Sequence, residues 1–241
     1  MLSVTNENIE KFSRLKEKYL SQTKIPQKNN WLRVSENDIW LRFITQILII
    51  GSSAPADKFN DSISLRERVS YSSLQKLETD IEKMEAIHYV LRKIRCRYVG
   101  DNIQKGWKVK SLANNFNKLQ QFNGGPKGFL VSLEELIDDN KETQAINILK
   151  KMKGFKDKSC RDFLMEYGMI DNRIALDTRL YNILVKLDVS IPALEEIQRS
   201  SRVYNKVEND ILQYICKPLG LLGVELDRML YQNYNSIMVD F

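Results

Sequence analysis

Helix breakers are scarce in this chain. Ten glycines and five prolines stand among its 241 residues, about 6 per cent together and roughly half of average usage, so few turns interrupt it. Hydrophobic side chains recur at helical spacing. The clearest case is SENDIWLRFITQILIIG from Ser35, in which Trp40, Phe43, Ile44, Ile47 and Leu48 fall on one face. Ser35 and Asp38 form a capping-box-like start, and Gly51 marks its end. Further helical segments are predicted at 6–20, 71–97, 108–122, 130–139, 142–152, 157–167, 178–187, 202–216 and 219–234. No run alternates with period two, so the predicted fold class is all-α, with about ten helices.

Charge and special residues narrow the function. Thirty-seven basic against 31 acidic residues give +6, a balance that suits an anionic partner without specifying one. The cysteines, Cys96, Cys160 and Cys216, are far apart and show no CxxC spacing, which points away from a disulfide framework or a thiolate-bound metal. His88 is the single histidine, too few for a multi-histidine metal site. No apolar run approaches membrane-spanning length, and the opening MLSVTNENIEKF has no apolar signal core; an intracellular protein without a membrane partner is expected.

Basic residues gather in two places. Arg92, Lys93, Arg95, Arg97, Lys105, Lys108 and Lys110 face only Asp101, with Tyr98 and Trp107 interleaved. Lys150, Lys151, Lys153, Lys156, Lys158 and Arg161 face only Asp157 and surround Gly154. Either cluster also suits a solvated helix face.

The second cluster lies inside AINILKKMKGFKDKSCRDFLMEYGMIDNRIALDTRLYNILVKL, residues 145–187. A helix ends near Met152, a Lys-Gly-Phe hairpin follows, a helix starts near Asp157, and Ile174-Ala175-Leu176 delivers Asp177 to the start of a third. A glycine hairpin lets backbone N–H groups approach a phosphate, and a helix start adds aligned donors. Such contacts hold DNA by its backbone.

Helix, Lys153-Gly154-Phe155 hairpin, Lys158 and, nineteen residues on, Asp177 in ALDTRLYNIL together resemble the helix-hairpin-helix DNA glycosylase superfamily. The SSA loop (52–54), the lysine four residues after Gly154 and the late ELDRMLY are most similar to archaeal-type 8-oxoguanine glycosylase/AP lyases. That resemblance implies a two-lobed helical fold with the active site in the cleft between lobes, residues 36–170 forming the lobe with the hairpin and 1–35 with 171–241 the other. It implies Lys158 and Asp177 as the catalytic pair, and DNA contacts from Ser52, Ser53, Lys153, Gly154 and Lys156. Gln46, Asp227 and Tyr231 are the candidate base-binding residues. The sequence departs from the family in two places: Lys156 replaces the usual second hairpin glycine, and Tyr231 stands where a tryptophan is usual.

Removing a damaged base requires flipping the nucleotide out and supporting positive charge on the sugar. A carboxylate such as Asp177 supplies that support, and an uncharged Lys158 amine can attack C1′ and form a Schiff base. The helix start, Lys153 and Lys156 favour the uncharged amine, whereas Asp157 and Asp177 oppose it. Asp177 before Thr-Arg-Leu-Tyr also suits a plain N-cap. The expected function is therefore a bifunctional glycosylase/lyase acting as a monomer on duplex DNA with a damaged base, most simply 8-oxoguanine. No organic cofactor is expected, although the resemblance implies a possible monovalent cation at the hairpin. The alternatives are alkylated bases or oxidised pyrimidines as substrates, and a non-catalytic DNA-binding helical module.

Overall fold

The computed structural model describes residues 2–240 and is helical throughout, apart from a single antiparallel bridge between Ser3 and Ser190. In chain order the helices are α1 (Asn6–Tyr19), α2 (Glu36–Leu48), α3 (Ala54–Asn60), α4 (Ile63–Arg68), α5 (Tyr71–Gln75), α6 (Asp80–Lys93), α7 (Trp107–Gln120) and α8 (Gly125–Asp138). There follow α9 (Glu142–Leu149), α10 (Asp157–Glu166), α11 (Thr178–Lys186), α12 (Leu194–Arg199), α13 (Ser201–Ile211), α14 (Lys217–Leu219), α15 (Gly223–Gln232) and α16 (Tyr234–Asp240). No described helix is long and apolar enough to cross a membrane.

The chain divides into two compact units, one formed by Leu32–Phe155 and the other by Met1–Trp31 with Lys156–Phe241. The expected boundary at 170 therefore moves to the hairpin itself. Residues 156–170 pack with the discontinuous unit because α10 directs Arg161 and Asp162 to partners on α13 and α15.

In the continuous unit, α2 is central and touches α3, α5, α7 and α8. Its N-terminus forms as the sequence predicts: the Ser35 hydroxyl accepts the Asp38 N–H at 3.1 Å, satisfying a donor that the first helical turn leaves open. Its apolar face closes over an aromatic cluster. Trp40 meets Phe116 edge-on at 5.3 Å, and Phe43 meets Phe129 at 5.9 Å and Phe155 at 5.1 Å. Burying each such ring contributes about 2–3 kcal/mol.

The predicted helix over 71–97 is two helices. Thr79 interrupts it with a capping box: Thr79 Oγ1 accepts the Glu82 N–H, and the Glu82 carboxylate accepts the Thr79 N–H. The segment expected at 130–139 starts earlier, at Gly125, where Pro126 occupies the first turn.

The discontinuous unit is built around α11, whose Leu180, Ile183 and Leu184 share a core with Phe12 and Leu15 of α1, Ile211 of α13 and Leu226, Met229 and Leu230 of α15. Asn8 of α1 donates to the Leu187 carbonyl at 2.7 Å and so closes the end of α11. Between α13 and α14 the chain widens into a π-turn over Leu212–Cys216. Pro218 lies just beyond, and its missing N–H and bulky ring prevent an ordinary α-turn back to Tyr214.

Candidate active site

The hairpin between α9 and α10 turns at Gly154, whose φ of +85° belongs to the left-handed region that glycine tolerates. A Cβ there would also run into Ile47 Cδ1 of the buried α2 face. Asn115, fully buried on α7, holds the hairpin from below. Its Oδ1 accepts the Lys153 N–H at 2.7 Å and its Nδ2 donates to the Lys153 carbonyl at 2.9 Å.

Part of the hairpin's backbone is engaged within the chain. The N–H groups of Lys153, Phe155 and Lys156 are engaged by Asn115, the Met152 carbonyl and Ser159 Oγ. The Lys153 and Lys156 side chains of the hairpin are exposed. On the carbonyl side, the Lys118 ammonium sits on the Lys151 carbonyl at 2.7 Å, and the Met152, Lys153 and Lys156 carbonyls each accept a hydrogen bond.

At the other candidate DNA loop, Gly51 adopts φ +87° and the ring of Tyr98 lies against it. Ser52 is half-buried and Ser53 exposed. Lys108 is not a surface cation. It is buried, and its ammonium donates to the Leu48 and Ile50 carbonyls at 3.0 and 2.7 Å and approaches Cys96 Sγ at 3.3 Å. A cation at the end of α2 satisfies the last carbonyls and the negative end of the helix dipole.

Lys158 lies in the first turn of α10, partly exposed, and donates from Nζ to Asp162 Oδ2 at 3.1 Å. Asp162 Oδ1 accepts Arg228 Nη1 of α15 at 2.9 Å. Two cations therefore share one carboxylate, which orients the lysine while Arg228 fixes the carboxylate. Arg161, the other cation of this cluster on α10, is buried: it grips Glu208 through Nε and Nη2 at 2.8–3.0 Å. Asp157, expected to influence Lys158, accepts instead from Arg161 Nη1 and Ser201 Oγ.

The approach to Asp177 is held residue by residue. The Ile174 N–H donates to Glu208 at 3.0 Å, the Ala175 N–H to Asp227 at 3.0 Å, and the Leu176 N–H to the Tyr204 hydroxyl at 2.9 Å. Tyr204 in turn donates to the Ile174 carbonyl. These partners come from α13 and α15 and are all buried. Asp177 then caps α11, its Oδ1 accepting the Leu180 N–H at 2.9 Å.

Asp227 is thus a buried support for this segment. Burial is the largest influence on its carboxyl and pushes it up to about 7; Asp162 acts in the same direction, while Arg228, the Ala175 N–H and Lys158 oppose. Tyr231 does present an exposed ring, with the Arg179 guanidinium 4.7 Å from its centre. Gln46 is buried on α2. Trp31 and Trp40 are core aromatics, and Trp40 Nε1 donates to the Val69 carbonyl.

Asp162, Arg228, Glu208, Tyr204 and Asn115 do not stand out in the sequence. The spacing from Lys158 to Asp162 is the one available signal, because residues four apart on a helix are neighbours.

No family model and no curated protein matches the chain. Among solved structures, the crystal structure of the Methanocaldococcus jannaschii 8-oxoguanine DNA glycosylase is similar with a TM-score of 0.62 and 19% identity, covering 95% of this chain and 94% of that one. The likeness is one of fold. The Methanocaldococcus jannaschii 8-oxoguanine glycosylase/lyase in complex with 15mer DNA containing 8-oxoguanine is similar with a TM-score of 0.59 and 17% identity, covering 95% of this chain and 96% of that one. The all-helical architecture of the present chain matches that of these glycosylases.

Proposed function

We propose that this chain is a bifunctional DNA N-glycosylase/AP lyase that removes 8-oxoguanine from duplex DNA. The observation that carries the reading is a lysine in the first turn of a helix directly after a glycine hairpin, fixed by Asp162 and accompanied by an aspartate whose approach is pinned at three successive N–H groups. The glycosylase fold supports it.

In this mechanism Lys153 and Lys156 hold the phosphate backbone and the damaged nucleotide is extruded. The Lys158 ammonium gives up its proton, for which Asp162 Oδ2 is the acceptor already in contact. The amine forms a bond to C1′ as the base departs with the electrons of the glycosidic bond and takes up a proton. The Asp177 carboxylate stabilises the positive charge that develops on the sugar. Ring opening yields a Schiff base, loss of a C2′ proton expels the 3′ phosphate, and water releases the cleaved product from Lys158. The resident chain needs no organic cofactor in these steps.

Borohydride tests this directly. Incubation with 8-oxoguanine duplex and reductant is expected to give a covalent complex that disappears in Lys158→Ala. Trapping confined to alkylated or pyrimidine lesions would transfer the activity to those substrates. Binding without excision or trapping on any duplex would leave only a DNA-binding helical module.

A further inference from the structure

One turn beyond Asp162, α10 ends at Glu166, and a pocket of about 300 Å³ opens there. Its apolar side is Ile25, Pro26 and the ring of Tyr231, and its polar side is Glu166, Arg228, Asn30 and Lys24. The walls are fixed. The Gln232 side chain takes both backbone groups of Lys24, accepting its N–H at 2.9 Å and donating to its carbonyl at 2.8 Å. The Trp31 N–H donates to the Tyr167 carbonyl at 3.0 Å, tying the far end of the same segment to the end of α10.

Resting on the glycosylase reading, we infer that this pocket reads the edge of a guanine-type base, with the Glu166 carboxylate accepting from N1–H and the 2-amino group. The volume is at the small end of ligand pockets and suits one flat heterocycle. Tyr231 and Pro26 offer the flat surfaces against which such a ring stacks.

Glu166 is the one carboxylate among the lining residues, beside the cations Lys24 and Arg228. Glu166 is half-exposed, its Oε2 lies 3.5 Å from Arg228 Nη2, and it lines the pocket as an acceptor-only group. A carboxylate at the site attracts hydrogen-bond donors. Two adjacent donors matching its two oxygens are the N1–H and 2-amino edge of guanine. Adenine and cytosine place an acceptor beside their amino group, and a pyrimidine imide flanks its single N–H with carbonyls. The Arg228 guanidinium and the Asn30 and Lys24 side chains supply the pocket's complementary polarity.

The test compares excision of 8-oxoguanine with that of 8-oxohypoxanthine, which lacks only the 2-amino group, by wild type and by Glu166→Gln. The wild type is expected to remove 8-oxoguanine about tenfold or more faster, the usual scale of one hydrogen bond to a charged group. In Glu166→Gln that ratio falls towards one, while borohydride trapping on base-free abasic duplex, which reports Lys158 alone, persists. An undiminished ratio in Glu166→Gln overturns the pocket assignment and leaves the glycosylase reading standing. A matching loss on abasic duplex also overturns it, since Glu166 would then act on the lysine. Failure of the wild type to trap on any duplex removes the glycosylase reading itself. Soaking or titrating the free 8-oxoguanine base provides a second readout: wild type is expected to bind it more tightly than 8-oxohypoxanthine, and equal affinity counts against the pocket.

Discussion

Asp162 joins Arg228 to Lys158: one oxygen accepts Arg228 Nη1 at 2.9 Å and the other accepts Lys158 Nζ at 3.1 Å. An unshared lysine on a helix surface samples many rotamers, whereas this one has a fixed acceptor one turn along its own helix.

The first expectation concerns that acceptor. Asp162→Asn leaves Arg228 beside a neutral amide in a largely buried position and is expected to destabilise the protein by about 2–4 kcal/mol, read from urea midpoints. Borohydride trapping should fall further than DNA affinity does. An equal loss of both would show that Asp162 serves the fold and not the lysine.

Glu208 supports the other side. It is fully buried, holds Arg161 through two nitrogens and takes the Ile174 N–H. Glu208→Ala leaves the Ile174 N–H without its acceptor and Arg161 with only Asp157 and Asn205, an expected loss of about 2–4 kcal/mol in chemical denaturation. Wild-type stability in that variant would show that the network relaxes around the gap.

Asp227 makes stability depend on pH with an unusual sign. Its folded carboxyl, pushed up by burial to about 7, titrates above the ordinary carboxylate range. Between pH 4 and 7 the unfolded chain gives up this proton and the folded chain keeps it, so the contribution present at pH 4 is lost as pH rises, up to about 4 kcal/mol. Asp227→Asn, whose side-chain oxygen can still accept the Ala175 N–H, should remove that slope. Urea denaturation of both proteins at pH 4.5 and 7.5 checks it; parallel pH profiles would refute it.

Gly154→Ala combines a left-handed φ with a contact against Ile47. An expected cost of about 1–3 kcal/mol should appear as a lower thermal midpoint, with weakened binding to undamaged duplex. A variant as stable as wild type would mean that the hairpin has an alternative turn.

Helix α2 is readable in the sequence because cap and period agree: Ser35 caps it, and Trp40, Phe43, Ile44, Ile47 and Leu48 all become buried. Helices α3, α4, α12 and α16, of six or seven residues, span too few turns to display a period and are absent from the expectation. The hairpin is legible by its glycine break, Lys158 and Asp177 by the family resemblance that their context carries, and the capping role of Asp177 by its neighbours. What spacing cannot supply is the partner of a charge. Arg228 reaches Asp162 across 66 positions, and Asp227 beside it resembles a surface acid until α15 turns it inward. The same limit applies to Lys108 and Arg161, counted among surface clusters yet enclosed by carbonyls or carboxylate.

The enclosure of Lys108 bears on how the protein would respond to ionic strength. A cation held by carbonyl oxygens inside the chain displaces no counterions when a nucleic acid docks, so it is silent in the salt dependence of binding. The slope of log affinity against log salt should then follow the exposed lysines near Gly154, not the total of basic residues. Neutralising Lys108 would leave that slope unaltered even where it weakens the loop that Lys108 supports.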